Sequence, residues 1–254
     1  MPAGCLIRVL RPAPSSLKIV SVHSAHRQLA VALSGTAALE LTGCLPSESF
    51  PGQPGSMVLN DSVTALRGAS TFTVSGTTTR QGIPTQVNLS IGGTGGCKGT
   101  ISARSGGTID VVRTRDHSFL RGDEAYMLAQ TKDMPEDEAS RARKEMSGRW
   151  MRTKASDPAM KALTALCDRD GLLKEIYSIP DAEKGALTKI DGQEAVTINT
   201  TRGVFLVATK GEPFLLKVTT SGPNPFDLTF AGINKPVQVD VPADKDVNDP
   251  DDNG

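Results

Sequence analysis

The residues with the most specific chemistry in this chain of 254 residues are Leu41-Thr42-Gly43-Cys44, which close an apolar run beginning at Leu29. Small residues before a cysteine, behind a hydrophobic stretch too short to span a bilayer, read as a bacterial lipoprotein signal peptide. The chemistry is alkylation of a thiol. The pattern resembles the lipobox, in which the cysteine sulfur receives a diacylglycerol, a peptidase cuts before it, and the new amino terminus is in some cases acylated too. Two or more chains anchor stably where one is marginal, since each buried methylene adds about 0.8 kcal/mol. Residues 1–43 are therefore read as signal peptide and Cys44 as the lipidation site, facing away from the cytoplasm. Arg27 and His26 give the run a basic flank, while Glu40 is the one charge out of place. Met1–His26 exceeds what such a leader needs, and a start at Val20 or Val22 would shorten it.

Two further cysteines, Cys97 and Cys167, form an isolated pair once Cys5 is assigned to the leader. Outside the cytoplasm such a pair is a disulfide more often than two thiols. Closing a loop of this length contributes roughly 4 kcal/mol in the chain-entropy picture. A metal site is the poorer reading, because no Cys-x-x-Cys spacing exists and His117 is the only histidine after Cys44. The same single histidine, without a Gly-x-Ser-x-Gly elbow, leaves a Ser-His-Asp hydrolase short of its parts.

Gly92-Gly93-Thr94-Gly95-Gly96-Cys97-Lys98-Gly99-Thr100 has the glycines of a phosphate loop, but Cys97 and Gly99 flank Lys98 where that loop needs Gly and Ser or Thr. A glycine-rich hairpin fits better. Asp244, Asp246 and Asn248 imitate the start of a calcium loop, with Asp249 where the sharp-turn glycine belongs. These readings give no enzyme, no cofactor and no metal.

Removing Arg8, Arg11, Lys18, Arg27 and Glu40 with the leader leaves 24 basic and 27 acidic residues, a net charge of −3. That balance lacks the clustered basic excess of a nucleic-acid binder. About 200 residues remain, enough for one domain with its own core. Aromatic content of only 4% means that the core is aliphatic.

The elements that must carry these residues follow from the punctuation. Residues 44–56, with Pro46, Pro51, Pro54, Gly52 and Gly55, read as a lipidated extended tether. Asn60–Gly68 reads as a short helix capped by Asn60 or Asp61. Four strands are expected at 71–79, 85–91, 98–103 and 108–114, joined by glycine turns and therefore paired antiparallel. Met134–Gly148 is a polar helix whose charges suit its dipole, and Asp157 caps a second helix, Pro158–Cys167. Strands resume near Ala186 and continue at 195–199, 204–209, 214–219, 227–230 and 237–241. Residues 57–242 are one α+β domain, and 243–254 an acidic disordered tail.

Glu124-Ala125-Tyr126 after Arg121-Gly122-Asp123, Arg149-Trp150, the Lys189-Ile190-Asp191-Gly192 turn, and Leu228-Thr229-Phe230 to Lys235-Pro236-Val237 together resemble actinobacterial lipoproteins of the LppX/LprAFG type. Those are similar in fold to the LolA and LolB lipoprotein carriers. The resemblance covers roughly Ser56–Val241. It implies a strongly bent antiparallel half barrel, with helices covering the concave face, around an apolar cavity. It also implies an acylated lipid or glycolipid as partner, and a membrane transporter as a further one. Arg121-Gly122-Asp123 itself reads as a turn.

A sheet curved around helices hides acyl chains if its inner side chains are apolar. The alternating sets Phe72 and Val74, then Val87, Leu89 and Ile91, then Phe214, Leu216 and Val218, are the expected lipid-binding residues. Every half-buried strand shows the same alternation, so an ordinary core satisfies it as well. The alternative function on the same fold is an envelope sensor or protein-interaction module without lipid transfer.

Overall fold

The computed structural model of the protein describes residues 49–80, 82–93, 95–104, 106–158, 160, 164–174, 176 and 179–249. A first meander comprises β1 (Thr71–Arg80), β2 (Ile83–Gly92), β3 (Cys97–Ala103), β4 (Gly107–Arg113), β5 (His117–Gly122) and β6 (Trp150–Lys154). A second comprises β7 (Glu183–Ile190), β8 (Gln193–Thr200), β9 (Gly203–Ala208), β10 (Leu215–Thr220) and β11 (Phe226–Ala231). Antiparallel pairing of β1 with β11, Val74 opposite Phe230, fuses them into one sheet. A two-residue strand, β12 (Val247–Asn248), completes the order β12-β6-β5-β4-β3-β2-β1-β11-β10-β9-β8-β7. The edges β12 and β7 do not pair, so the sheet is an open half barrel.

Bending crowds the inner side of a sheet, and two inner positions carry no side chain. A Cβ on Gly76 (φ 140°) would lie 2.0 Å from the Asp227 carbonyl oxygen, and one on Gly99 (φ 150°) 2.0 Å from that of Asn88. Glycine alone allows so close an approach in this backbone region.

Helix α1 (Gly55–Gly68) crosses the inner face over β7 to β10. Val58, Leu59, Ser62, Val63 and Leu66 form its buried stripe, at the spacing of one helical face. It begins well before the expected Asn60, because Pro54 sets the extended entry and Gly55 lies against the Ala182 and Glu183 backbone. Gly55 and Ser56 thus belong to the helix, not to a tether. Helix α2 (Glu124–Thr131) packs on β4 and β5 and against α3 (Glu136–Met146). In α3 only Ala139 is buried; Glu136, Asp137 and Glu138 open the helix, and Arg143 and Lys144 close it, as the dipole favours.

Several expectations are corrected. Strands β5 and β6 lie in segments given no strand, and α2 was not expected. Arg121 and Gly122 end β5, and Asp123 caps α2, so this tripeptide is not a turn. Residues 237–241 form no strand, since Pro236 and Pro242 bracket them and supply no N–H. The acidic tail is ordered as far as Asp249. Asp244–Asp246 make a 3-10 turn, β12 runs parallel to β6, and Asp249 Oδ2 accepts from Arg152 Nε at 2.6 Å. An ion pair with a half-buried arginine holds a segment that charge counting alone leaves in solvent.

Candidate functional site

Register places side chains from nearly every strand on one apolar inner face. Phe72 and Val74 of β1, Val87, Leu89 and Ile91 of β2, and Val218 of β10 are all buried in the main core cluster. Val111 and Leu120 extend it toward β5, and Phe205, Ile198 and Val196 toward β8. Phe72 meets Phe230 edge to face, with ring centroids 5.8 Å apart. Six of the eight expected lining residues therefore share one surface.

Phe214 and Leu216 do not. The β9 to β10 register slips between Leu215 and Lys217, so Leu215 and Val218 both face inward. Leu216 instead joins Ala195 and Ala208 in a small cluster on the outer face, with Phe214, Leu206 and Ile233 packed against it. Strict alternation misses this because a bulge inserts one residue and inverts the parity of what precedes it.

The inner face of the first meander is covered in pieces. A 3-10 turn at Ala165–Cys167 and helix α4 (Arg169–Lys174) bring Leu166, Leu172 and Leu173 against the cluster, together with Ile176. Cys167 is joined to Cys97, at the start of β3, by a disulfide with a Cα–Cα distance of 5.6 Å. Asp157 Oδ1 accepts from the Met160 N–H at 3.2 Å, the cap expected there. The chain closes with a 3-10 turn at Cys167 rather than the α-helical end expected.

Arg169, which sequence reasoning missed, links this cover to α1. Its guanidinium donates to the carbonyls of Arg67, Ala69 and Ser70, satisfying groups that the helix end leaves open, and lies 5.2 Å from the Phe72 ring centroid. Burial pulls its pKa below the ordinary arginine value, which neighbouring Asp170 opposes. Nothing in the local sequence marks a residue that acts a hundred positions away.

Asp123 fixes α2 to the β4 end. Its Oδ1 accepts from the Tyr126 N–H at 2.7 Å and its Oδ2 from the Thr108 N–H at 3.0 Å. These backbone donors, Tyr126 first, hold its carboxyl below the ordinary value.

Two hollows are lined by described residues. One, of about 690 Å³, lies between α2, α3 and the β4–β5 edge, where Arg121 is held 2.7 Å from Asp110 and 4.6 Å from the Trp150 ring centroid. The other, of about 560 Å³, lies on the outer face beside Phe214, Leu216 and Ile233, with Lys210 paired to Glu194 at 3.1 Å. None of the six inner-face residues lines either. Among the described residues no group of three or more His, Cys, Asp or Glu is placed to hold a metal ion. Cys44 lies outside the described residues.

An open, bent sheet with helices on its inner face defines an α+β half barrel. Among solved structures it is similar to LprF from Mycobacterium bovis, with 15% identity and a TM-score of 0.53 over 76% of this chain and 100% of that chain. The fold is thus that of LprF, a protein of the LppX/LprAFG type that the sequence resembles. MucB aligns with 17% identity and a TM-score of 0.33, over 76% of this chain and 63% of that chain. A MucA/MucB complex from Pseudomonas aeruginosa aligns with 14% identity and a TM-score of 0.30, over 75% and 59%. No protein-family model and no curated protein matches the sequence.

Proposed function

We propose that this chain is a bacterial envelope lipoprotein, anchored through Cys44 outside the cytoplasmic membrane, whose half barrel holds an acylated lipid or glycolipid against its inner face. The observation that carries the reading is the single apolar surface that β1 to β5 and β8 to β11 build together, on the fold of LprF. Acyl chains must be hidden from water, and a bent sheet with a separate, jointed cover is a form that separates to admit them. The Cys97–Cys167 disulfide supports an oxidising compartment. Among the described residues no helix is long and apolar enough to cross a membrane, and the reading assigns attachment to the lipid on Cys44. On this reading the protein works by binding a lipid; His117 sits exposed at the start of β5, its ring 6.3 Å from that of Phe119.

Solvent extraction of the protein purified from membranes, followed by mass spectrometry, tests the binding. An acylated lipid near one per protein is expected. Lipid-free protein would shift the reading to an interaction module on the same fold. Anchoring is read separately by detergent partitioning, in which wild type enters the detergent phase and Cys44→Ser stays aqueous or unprocessed.

A further inference from the structure

Register fixes which rim of the half barrel lies beside the amino-terminal segment. One row of paired residues runs Glu183, Asn199, Val204, Thr219, Asp227 and Thr77, from β7 to β1. Gln86 continues it on β2, with Ile83 three residues further toward the same end. Helix α1 starts at this end. Gly55 abuts the backbone of Ala182 and Glu183, and Lys184 Nζ donates to the Phe50 carbonyl at 2.8 Å.

Three of the large hydrophobic side chains left in solvent sit at this rim: Met57 (49% exposed) in the first turn of α1, Ile83 (51%) at the start of β2 and Val204 (41%) in β9. The turns Asp191-Gly192, Gly211-Glu212 and Arg115-Asp116 at the opposite rim carry none, and the one exposed apolar side chain near that end, Val241, lies outside the sheet in the segment whose Asp240 pairs with Lys98. We infer that the rim bearing Met57, Ile83 and Val204 rests on the phospholipid bilayer, its apolar side chains in the headgroup layer.

The length of chain ahead of Phe50 decides the orientation. Phe50 is six residue steps after Cys44, which at full extension reach about 20 Å. Strand β7, of eight residues, spans roughly 26 Å from this rim to the other. A tether of that reach favours the near rim, beside the pinned Phe50, as the one that meets the membrane. The arrangement rests on lipidation of Cys44, and each exposed side chain adds the favourable transfer of apolar surface into the interface.

The test uses the full chain, processed and lipidated in its host, in phosphatidylcholine vesicles with brominated acyl chains. Trp150, the one tryptophan, is replaced by Phe, and reporters are placed singly as Ile83→Trp, Val204→Trp and Gln193→Trp, the last at the opposite rim. Severalfold stronger quenching of both Ile83→Trp and Val204→Trp than of Gln193→Trp is expected. Equal quenching, or stronger quenching of Gln193→Trp, in protein that floats with the vesicles would overturn the orientation and leave the anchor intact. Protein that neither floats nor carries acyl mass would remove the anchor, and the orientation with it.

Discussion

The two meanders of this sheet are covered by different means. Over β7 to β10 lies one continuous helix, α1, whose apolar stripe is fully withdrawn from water. Over the first meander lie short pieces, the Ala165–Cys167 turn, α4 and α2, each fixed by a specific bond: a disulfide, the Arg169 fork, the Asp123 cap. A helix long enough to span four strands is held chiefly by burial, since a buried leucine contributes about 2 to 3 kcal/mol, with the Arg169 fork added only at its C-terminal end. A six-residue helix has too little surface for that, so directional and covalent links replace it.

The largest effect expected separates the halves most sharply. Replacing Cys97 and Cys167 by Ser removes the link that fixes the cover to β3 and lowers stability by about 4 kcal/mol in the chain-entropy picture. Denaturant unfolding measures it, and lipid retention should fall with it. Alkylation of the exported wild type without reduction should label neither cysteine. In the other half, Leu59→Ala leaves a hole in a fully buried stripe and should cost about 3 kcal/mol, a value typical of packed leucines. A cost below about 1 kcal/mol would mean that α1 lies loosely and that the contrast between the covers fails.

Arg169→Ala comes next. It strands the last carbonyls of α1 beneath the cover, and charged hydrogen bonds of this kind are worth about 2 kcal/mol. Arg169→Lys should recover only part of the loss, because an ammonium lacks the fork that serves three carbonyls at once. The smallest effect is a pH dependence at Asp123. Its folded pKa is depressed, so its contribution is present above the unfolded value, near pH 4, and disappears as pH falls through the lower folded value. Asp123→Asn keeps an acceptor for the cap and should flatten the melting curve's response to acid over that window.

The first meander was legible where local signals coincide: alternating β-branched residues between glycine turns gave β1 to β4 nearly to their ends. Strands β5 and β6 were hidden because both are short and their apolar stretches are broken by charge, Arg121 in β5 and Arg152 and Lys154 in β6. Arg152 finds its partner far away in sequence, on Asp249, which no local pattern announces. The pairing of β1 with β11 is of the same kind. Which residues face inward was legible by alternation on the regular strands, and Phe214 and Leu216 were assigned to the wrong face at the one bulge in β10. The disulfide could be read from composition, since two cysteines left alone in an exported chain have few other fates.

The inner face is the central claim, and one pair of variants addresses it most directly. Val87→Trp places a ring into the inner cluster, whereas Leu216→Trp places the same ring in the outer one. Lipid bound per protein is then counted by mass spectrometry of solvent extracts, alongside the melting temperature of each variant. If lipid lies against the inner face, Val87→Trp loses most of it while melting near wild type, and Leu216→Trp retains it. If the inner face is a filled core, Val87→Trp is overpacked by about 1 to 3 kcal/mol and melts lower. Lipid equal to wild type in both variants would contradict the account.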